Sequence, residues 1–220
     1  MLLSQIKGLK YPDEYFIKFF FKNALHTKKA LSFLEFGCSN GNNLLLPYHY
    51  EHNIVGVDLS KKKIADAKYN FSNQNLQNKY EFYAEDMVDF TKKSLKSFDV
   101  ISLPNIINYL SKDRFLEFLE NLKINNFYKE DVLFFIRFRS PKDFRNGYGK
   151  EIGKNSYIVE DDLTSEKGAI NSFYDDIEMV DILRKYLNLY EFQIFHIDFE
   201  NLAKDKIIFN SDIIIWGKIS

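Results

Sequence analysis

The sequence predicts a doubly wound α/β fold, and three observations carry that prediction. Apolar runs of strand length recur along the chain, amphipathic stretches alternate with them, and acidic residues stand at the ends of successive runs. Apolar strands separated by amphipathic helices indicate a mostly parallel sheet covered on both faces. The chain has 220 residues, 45% apolar, with 22 Phe and 14 Tyr and a formal charge of −1, enough for one packed core. Low hydrophobicity with high net charge, the mark of disorder, is absent. A polyanion-binding protein normally shows a basic surplus, so near-neutrality argues against a nucleic-acid partner.

The elements follow in order. Residues 11–29 are read as a helix, opened by Pro12 and Asp13 and carrying Tyr15, Phe16, Phe19, Phe20 and Leu25 as an apolar stripe. The run Leu31–Phe36 is a strand, GCSNG a tight turn and NNLLLPYH a helix. The β-branched run Asn53–Asp58 is the second strand, followed by a helix that Ser60 caps and that carries Ile64, Ala65 and Ala67. Tyr80–Asp86 and Phe98–Leu103 are the third and fourth strands. Ser111 caps a helix with Phe115, Leu116, Leu119 and Leu122 on one face, and Asp131–Phe138 is the fifth strand. Phe192–Glu200 and Ser211–Ile219, joined by about ten residues, are too close for a helical crossover and should pair as an antiparallel hairpin. Without a linker or repeat, residues 1–220 read as one domain, with a cap helix in 1–30 and an insert at 140–176. The single cysteine, the missing apolar signal region and the missing long apolar span predict a cytosolic protein without a membrane segment.

The sharpest local signal is LEFGCSNGNN, Leu34 to Asn43, a strand running through an acidic residue into a two-glycine turn that opens a helix. Glycine permits left-handed backbone and close ligand approach, and a helix start offers free N–H groups. The dinucleotide fingerprint G-x-G-x-x-G would need glycines at 37, 39 and 42, and two of these are Ser39 and Asn42. The spacing present is acidic-x-Gly-x-x-x-Gly, at Glu35, Gly37 and Gly41. It resembles motif I of class I S-adenosylmethionine-dependent methyltransferases, with Ser39 in place of the middle glycine.

The resemblance covers essentially the whole chain. It implies a seven-stranded sheet whose last strand runs antiparallel, with S-adenosylmethionine as cofactor and S-adenosylhomocysteine as product. It implies that Asp58 holds the ribose hydroxyls, that Asp86, with Met87 beside it, meets the adenine amino group, and that Ser102 to Asn105 line the methyl end. The implied cofactor site is Tyr11, Glu35, Gly37, Cys38, Ser39, Gly41, Asn43, Asp58, Leu59, Asp86, Met87 and Pro104. No metal is expected. The amino-methylating signature [DNS]-PP-[FYW] is absent from Ser102-Leu103-Pro104-Asn105, which argues against nucleic-acid bases as acceptors. Cys38 reads as a small packing residue.

A sulfonium methyl is already activated, so the task is to align an acceptor lone pair, and a base is not obligatory. None is assigned; the candidates are His196, Tyr109 and Asn108, while His49 and His52 lie toward the other end of the strands. The acceptor side is expected in the 140–176 insert and the strand before it, at Arg137, Arg139, Asn155, Tyr157 and Tyr174. Arg137 and Arg139, with Lys142 and Arg145 close by, suggest a small anionic acceptor such as a phosphorylated or nucleotide-activated sugar or a phosphoramidate, methylated at oxygen. The equally open reading is that these charges pair with Asp143 and Glu151. The YPDE helix and the insert also resemble bacterial methyltransferases of capsule and surface-polysaccharide modification. Two other functions stand beside this one: a nucleotide-sugar or NAD-linked Rossmann oxidoreductase, and a noncatalytic S-adenosylmethionine-binding module.

Overall fold

The computed structural model describes residues 3–93, 97–160, 166–203 and 205–220. Five parallel strands come first: β1 (Ser32–Phe36), β2 (Asn53–Asp58), β3 (Tyr80–Ala84), β4 (Phe98–Pro104) and β5 (Tyr128–Arg139). Three short strands, β6 (Lys150–Gly153), β7 (Ser156–Ile158) and β8 (Ile170–Ser172), form a separate antiparallel sheet. The chain ends in β9 (Tyr190–Ala203) and β10 (Lys206–Ile219). The main sheet has the order β3-β2-β1-β4-β5-β10-β9, and β10 runs antiparallel to both neighbours. This is the expected seven-stranded, mostly parallel sheet with an antiparallel last strand.

Each face of the sheet packs against its own helices. On one face lie α1 (Glu14–Lys22), α2 (Leu45–His49) and α3 (Lys61–Ser72), on the other α4 (Met87–Thr91), α5 (Lys112–Ile124) and α6 (Asp176–Leu187). Alternation along β1 shows why both faces are apolar: Phe33 joins the first cluster and Leu34 and Phe36 the second, all buried. The stripe of α1, Phe16, Phe19 and Phe20, is core, in ring contact with Phe135 and Trp216. Among the described residues no helix is long and apolar enough to cross a membrane.

Three boundaries differ from expectation. The N-terminal helix is shorter, because Asn23 closes α1 by taking its N–H to Phe19 and Phe21, and a 3-10 turn at Leu25–Thr27 follows. The terminal strands do not stop ten residues apart: the ladder continues until Ala203 faces Lys206, since Leu202 and Ile207 prolong both strands. The insert is not simply a loop. It carries the small sheet, with residues 161–165 outside the described residues, and α6 starts at its end, capped by Asp175 and burying Met179, Val180, Leu183 and Leu187.

A buried ionic junction ties the N-terminal segment to the sheet. Asp13 caps α1 by accepting the N–H groups of Tyr15 and Phe16, and its other oxygen takes Arg137 of β5. Arg137 also donates from Nε to Asp212 of β10 at 2.9 Å. All three side chains are mostly buried, so removing the guanidinium strands two carboxylates. Replacing Arg137 by Gln is therefore expected to lower unfolding stability by about 3 kcal/mol, read from urea denaturation. A loss below about 0.5 kcal/mol would mean the junction is solvated and carries little.

Candidate active site

The site is built where β1, β2 and β4 end. Glu35 of β1 lies between Gly56 of β2 and Ser102 of β4 in register, fully buried. Its Oε2 accepts from Asn43 Nδ2 at 3.2 Å and Ser102 Oγ at 3.0 Å. Burial pushes its carboxyl up to about 8, the two donors only partly opposing. Glu35 is therefore largely protonated at neutral pH.

The turn after β1 bends through three left-handed residues, Gly37 (φ 69°), Ser39 (φ 51°) and Gly41 (φ 77°). Gly37 and Cys38 donate their N–H groups to Val57 O, which pins the turn to β2. A side chain at Gly37 would meet Ile106 at 2.7 Å, and one at Gly41 would meet Phe71 at 2.7 Å, so both positions are closed to a Cβ by packing as well as by φ. Cys38 is buried against Gly56, and burial, followed by the charges of Glu35 and Asp58, drives its thiol well above the ordinary range. It is a packing residue.

Asp58 closes the turn from below. Ser39 N–H donates to Oδ2 and Ser60 N–H to Oδ1, each at 2.9 Å. A carboxylate offers about four acceptor positions, so about two are left over from these bonds. Asp86 caps α4 with Oδ1, accepting Val88 and Asp89 N–H groups and Arg114 at 2.9 Å. Its Oδ2 has no hydrogen bond among the described residues. Leu59 is exposed beyond Asp58 and Met87 is buried at the start of α4.

Four asparagines that the motif reading leaves without a role, or gives a different one, lace residues 7–13 over the turn. Asn40 accepts Leu9 N–H at 3.0 Å and donates to Lys7 O and Leu9 O at 2.8 Å. Asn42 donates to Tyr11 O at 2.9 Å, and Asn43 accepts Asp13 N–H at 2.7 Å. Asn70 of α3 accepts from Lys7 N–H and donates to Lys7 O and Asn40 O. The side chain of Tyr11 is exposed, so the residue joins the site through its carbonyl. Tyr15 turns away and meets Phe195 edge-on.

The end of β4 leads into a second cluster. Pro104 pairs with Arg137, Asn105 takes a left-handed conformation (φ 54°), and a 3-10 turn at Ile107–Tyr109 follows. Asn108 is buried, accepting Arg139 N–H at 2.9 Å. The Arg139 guanidinium reaches Asn171, Glu166 Oε1 at 2.6 Å and Tyr109 Oη at 3.4 Å. Tyr109 and Arg145 donate to the two oxygens of Glu166 at 2.6 Å and 2.9 Å. Burial raises the Glu166 carboxyl, but Arg139, Tyr109 and Arg145 outweigh it and hold it down to about 2. Tyr109 is pushed up, chiefly by burial. The Nδ2 atoms of Asn108 and Asn171 are buried without a partner among the described residues.

Several expected acceptor residues take other places. Both guanidiniums face carboxylates of the chain itself, Arg137 between Asp13 and Asp212, Arg139 against Glu166. The alternative reading, pairing with Asp143 and Glu151, appears in part: Arg145 pairs with Asp143, and its second acid is Glu166 rather than Glu151. Tyr174 is core, packed edge-on to Phe115 and Phe138, because it lies where the chain enters α6. Asn155 is the left-handed turn residue between β6 and β7, and Tyr157 packs near Phe173. His196 is half exposed on β9, ion-paired to Asp176 at 3.2 Å. It stands two strands from β5, about 10 Å, and does not join the cluster. His52 is structural, bonded to Leu31 N–H and Leu25 O. A concavity of about 300 Å³ lined by Ser32, Asn53, Lys79 and Glu81 opens at the opposite strand ends, away from the turn. Among the described residues no group of three or more His, Cys, Asp or Glu is placed to hold a metal.

Comparison with known proteins agrees with this geometry. A search of curated proteins finds no match. Among solved structures, an S-adenosylmethionine-dependent methyltransferase from Methanosarcina mazei superposes with a TM-score of 0.63 at 18% identity, over 90% of this chain and 98% of its own. The N-methyltransferase NodS from Bradyrhizobium japonicum, solved with S-adenosylhomocysteine, gives 0.61 at 12% identity over 94% and 86%. Magnesium protoporphyrin IX methyltransferase from Synechocystis, also with S-adenosylhomocysteine, gives 0.60 at 14% over 91% and 80%. At such identities these likenesses speak to the fold. Residues 27–152 match the methyltransferase domain family, which takes in β1 to β5 and the whole glycine turn. The chain belongs to that family and is an S-adenosylmethionine-dependent methyltransferase.

Proposed function

We propose that this enzyme methylates an oxygen of a small polar acceptor, held where β4 and β5 end. The supporting observation is the pair of buried, unpartnered amide donors of Asn108 and Asn171 on either side of Arg139. Buried donors left unpaired cost about 1–3 kcal/mol each, which an acceptor's oxygens would recover. S-adenosylmethionine supplies a methyl group already activated on sulfur. The chain's part is then positional: the turn, Glu35, Asp58 and Asp86 orient the donor, residues 7–13 exclude water, and the Arg139 cluster orients the acceptor. The two ionisable groups facing Arg139 are poor proton acceptors near neutrality, Tyr109 because it is neutral and Glu166 because its carboxyl lies near 2. With no base among them, the acceptor oxygen takes the methyl as the sulfur–carbon bond breaks, and its hydroxyl proton passes to solvent rather than to a side chain of this cluster.

The anionic acceptor suggested by the arginines is weakened by their pairing. Arg137 is flanked by two carboxylates and Arg139 by one, so neither offers an unbalanced positive charge. The surface-polysaccharide role was read from the resemblance of the YPDE helix and the 140–176 insert, and the paired arginines lend it no support. A reducing cytosol suits the lone buried Cys38.

Calorimetric titration separates this reading from the two others. S-adenosylmethionine and S-adenosylhomocysteine are expected to bind and NAD not to. Asp58→Ala should weaken both sulfur compounds about tenfold or more, since the ribose loses its acceptor. Binding of NAD alone would favour an oxidoreductase, and binding without product from any acceptor tried would favour a noncatalytic module.

Glu35 predicts a pH dependence. In the unfolded chain its carboxyl titrates near 4.5 and in the folded protein near 8, so folding takes up a proton between those values. The proton-bound native form is favoured below the window, and stability falls as pH rises through it, by at most about 1.4 kcal/mol per unit. Thermal melting from pH 5 to 9 should show this decline relative to Glu35→Gln, which lacks the proton. Parallel curves for the two proteins would show that Glu35 is ionised throughout.

A further inference from the structure

β9 forms one edge of the main sheet. This strand has β10 on one side and, among the described residues, no strand on the other. It is 14 residues long, and none of its residues is Pro, Lys or Arg. Edge strands are ordinarily blunted by such residues, by bulges or by short length. The irregularity in the β9–β10 ladder is confined to Trp216/Lys218, at the other end of the pair from the exposed tip. The tip presents Phe199 and Leu202, 47% and 69% exposed.

The composition of β9 specifies its partner. Two copies of a strand pair antiparallel about a dyad, so residue i of one faces residue j of the other with i + j constant. An even sum places residues with outward N–H and C=O groups opposite each other, because these alternate along a strand. With the dyad on Ile197, Phe195 faces Phe199 of the second copy and Ile197 faces Ile197. His196 faces Asp198, Phe192 faces Leu202 and Gln193 faces Asn201. Apolar meets apolar and imidazole meets carboxylate, with Ile194 opposite Glu200 and Glu191 opposite Ala203 as the mismatches.

The neighbouring registers are worse. A dyad on His196 sets imidazole against imidazole and Gln193 against Phe199. A dyad on Asp198 pairs Ile197 with Phe199, Ile194 with Leu202 and His196 with Glu200, but sets carboxylate against carboxylate at the dyad itself and Phe195 against Asn201. The faces agree as well. Phe195 and Ile197 belong to the face of α1, and Phe199 follows on that face, so one apolar strip runs across the dyad. Phe192 and Ile194 lie beside α6 on the other face, where Ile177 is 73% exposed. His196 and Asp198 are open to a partner, although each already has an ion pair at hand, Asp176 and Lys142.

We propose that the enzyme is a homodimer in which β9 pairs antiparallel with β9 of a second copy about Ile197, joining two seven-stranded sheets into one. The interface lies at the sheet edge, outside the turn and the Arg139 cluster, and each copy keeps its own complete site. It stands whether or not the acceptor is correctly assigned above.

Sedimentation velocity and engineered crosslinking test it. The full chain should sediment as a dimer. Ile197→Cys places thiols at the dyad, where facing Cα atoms lie about 5 Å apart, within disulfide reach. It should form a disulfide dimer under mild oxidation, with the one native cysteine, Cys38, buried. Gln193→Cys puts its thiol about 26 Å from its copy along the strand and should not. Phe199→Glu, at an exposed position, should raise the dimer dissociation constant about tenfold or more while leaving the far-ultraviolet circular dichroism unchanged. A chain that stays monomeric at its highest soluble concentration overturns the proposal. So does equal crosslinking by the Ile197 and Gln193 variants, which would deny the register.

Discussion

The carboxylate of Asp58 is the constraint on which the rest of the site depends. By taking Ser39 N–H on one oxygen and Ser60 N–H on the other, it fixes where the turn after β1 passes over the end of β2. Ser39, the left-handed residue of that turn that is not glycine (φ 51°), would otherwise be costly to hold. Once the turn is placed, Asn40, Asn42 and Asn43 point at the N-terminal segment and set its path. That path brings Asp13 to the start of α1 and to Arg137, so a turn between β1 and α2 determines how a segment 30 residues earlier docks on β5.

The two ends of the site differ in electrostatic character. At the turn, a buried Glu35 holds its proton, and Asp58 and Asp86 keep acceptor capacity toward the strand ends. At the ends of β4 and β5, Arg139 and Arg145 are matched by Glu166 and Asp143, leaving amide donors rather than net charge. Methyl transfer from a sulfonium leaves the cofactor neutral, so a site that positions charge-balanced groups around the acceptor loses little as the donor's charge disappears.

The strands of the main sheet, most of its helices and the turn were legible because they rest on local signals: apolar runs of strand length, capping residues such as Ser60 and Ser111, and glycines at required left-handed positions. What was not legible depends on distant partners. Nothing near Arg137 in sequence announces Asp13, which is 124 residues away, or Asp212. The asparagines act on backbone groups of residues 7–13, and a backbone group carries no side-chain signature. Asp13 was read as a helix opener, its local role, while its second oxygen serves the sheet. The small sheet of the insert escaped because its strands are three or four residues long, too short for a period to show. Tyr174 was placed on the acceptor side because it lies in the insert, although its ring packs in the core against Phe115 of α5 and Phe138.

On the reading proposed above, the glycine turn and the asparagine-bound segment over it form one cofactor cradle. Amide hydrogen exchange with and without S-adenosylhomocysteine tests this most directly. Slower exchange across residues 7–13 and 37–43 on binding, including the Leu9, Asp13 and Ser39 amides, is the expected result. Binding that leaves those amides unchanged and protects the opposite strand ends around Ser32, Asn53 and Lys79 would contradict it.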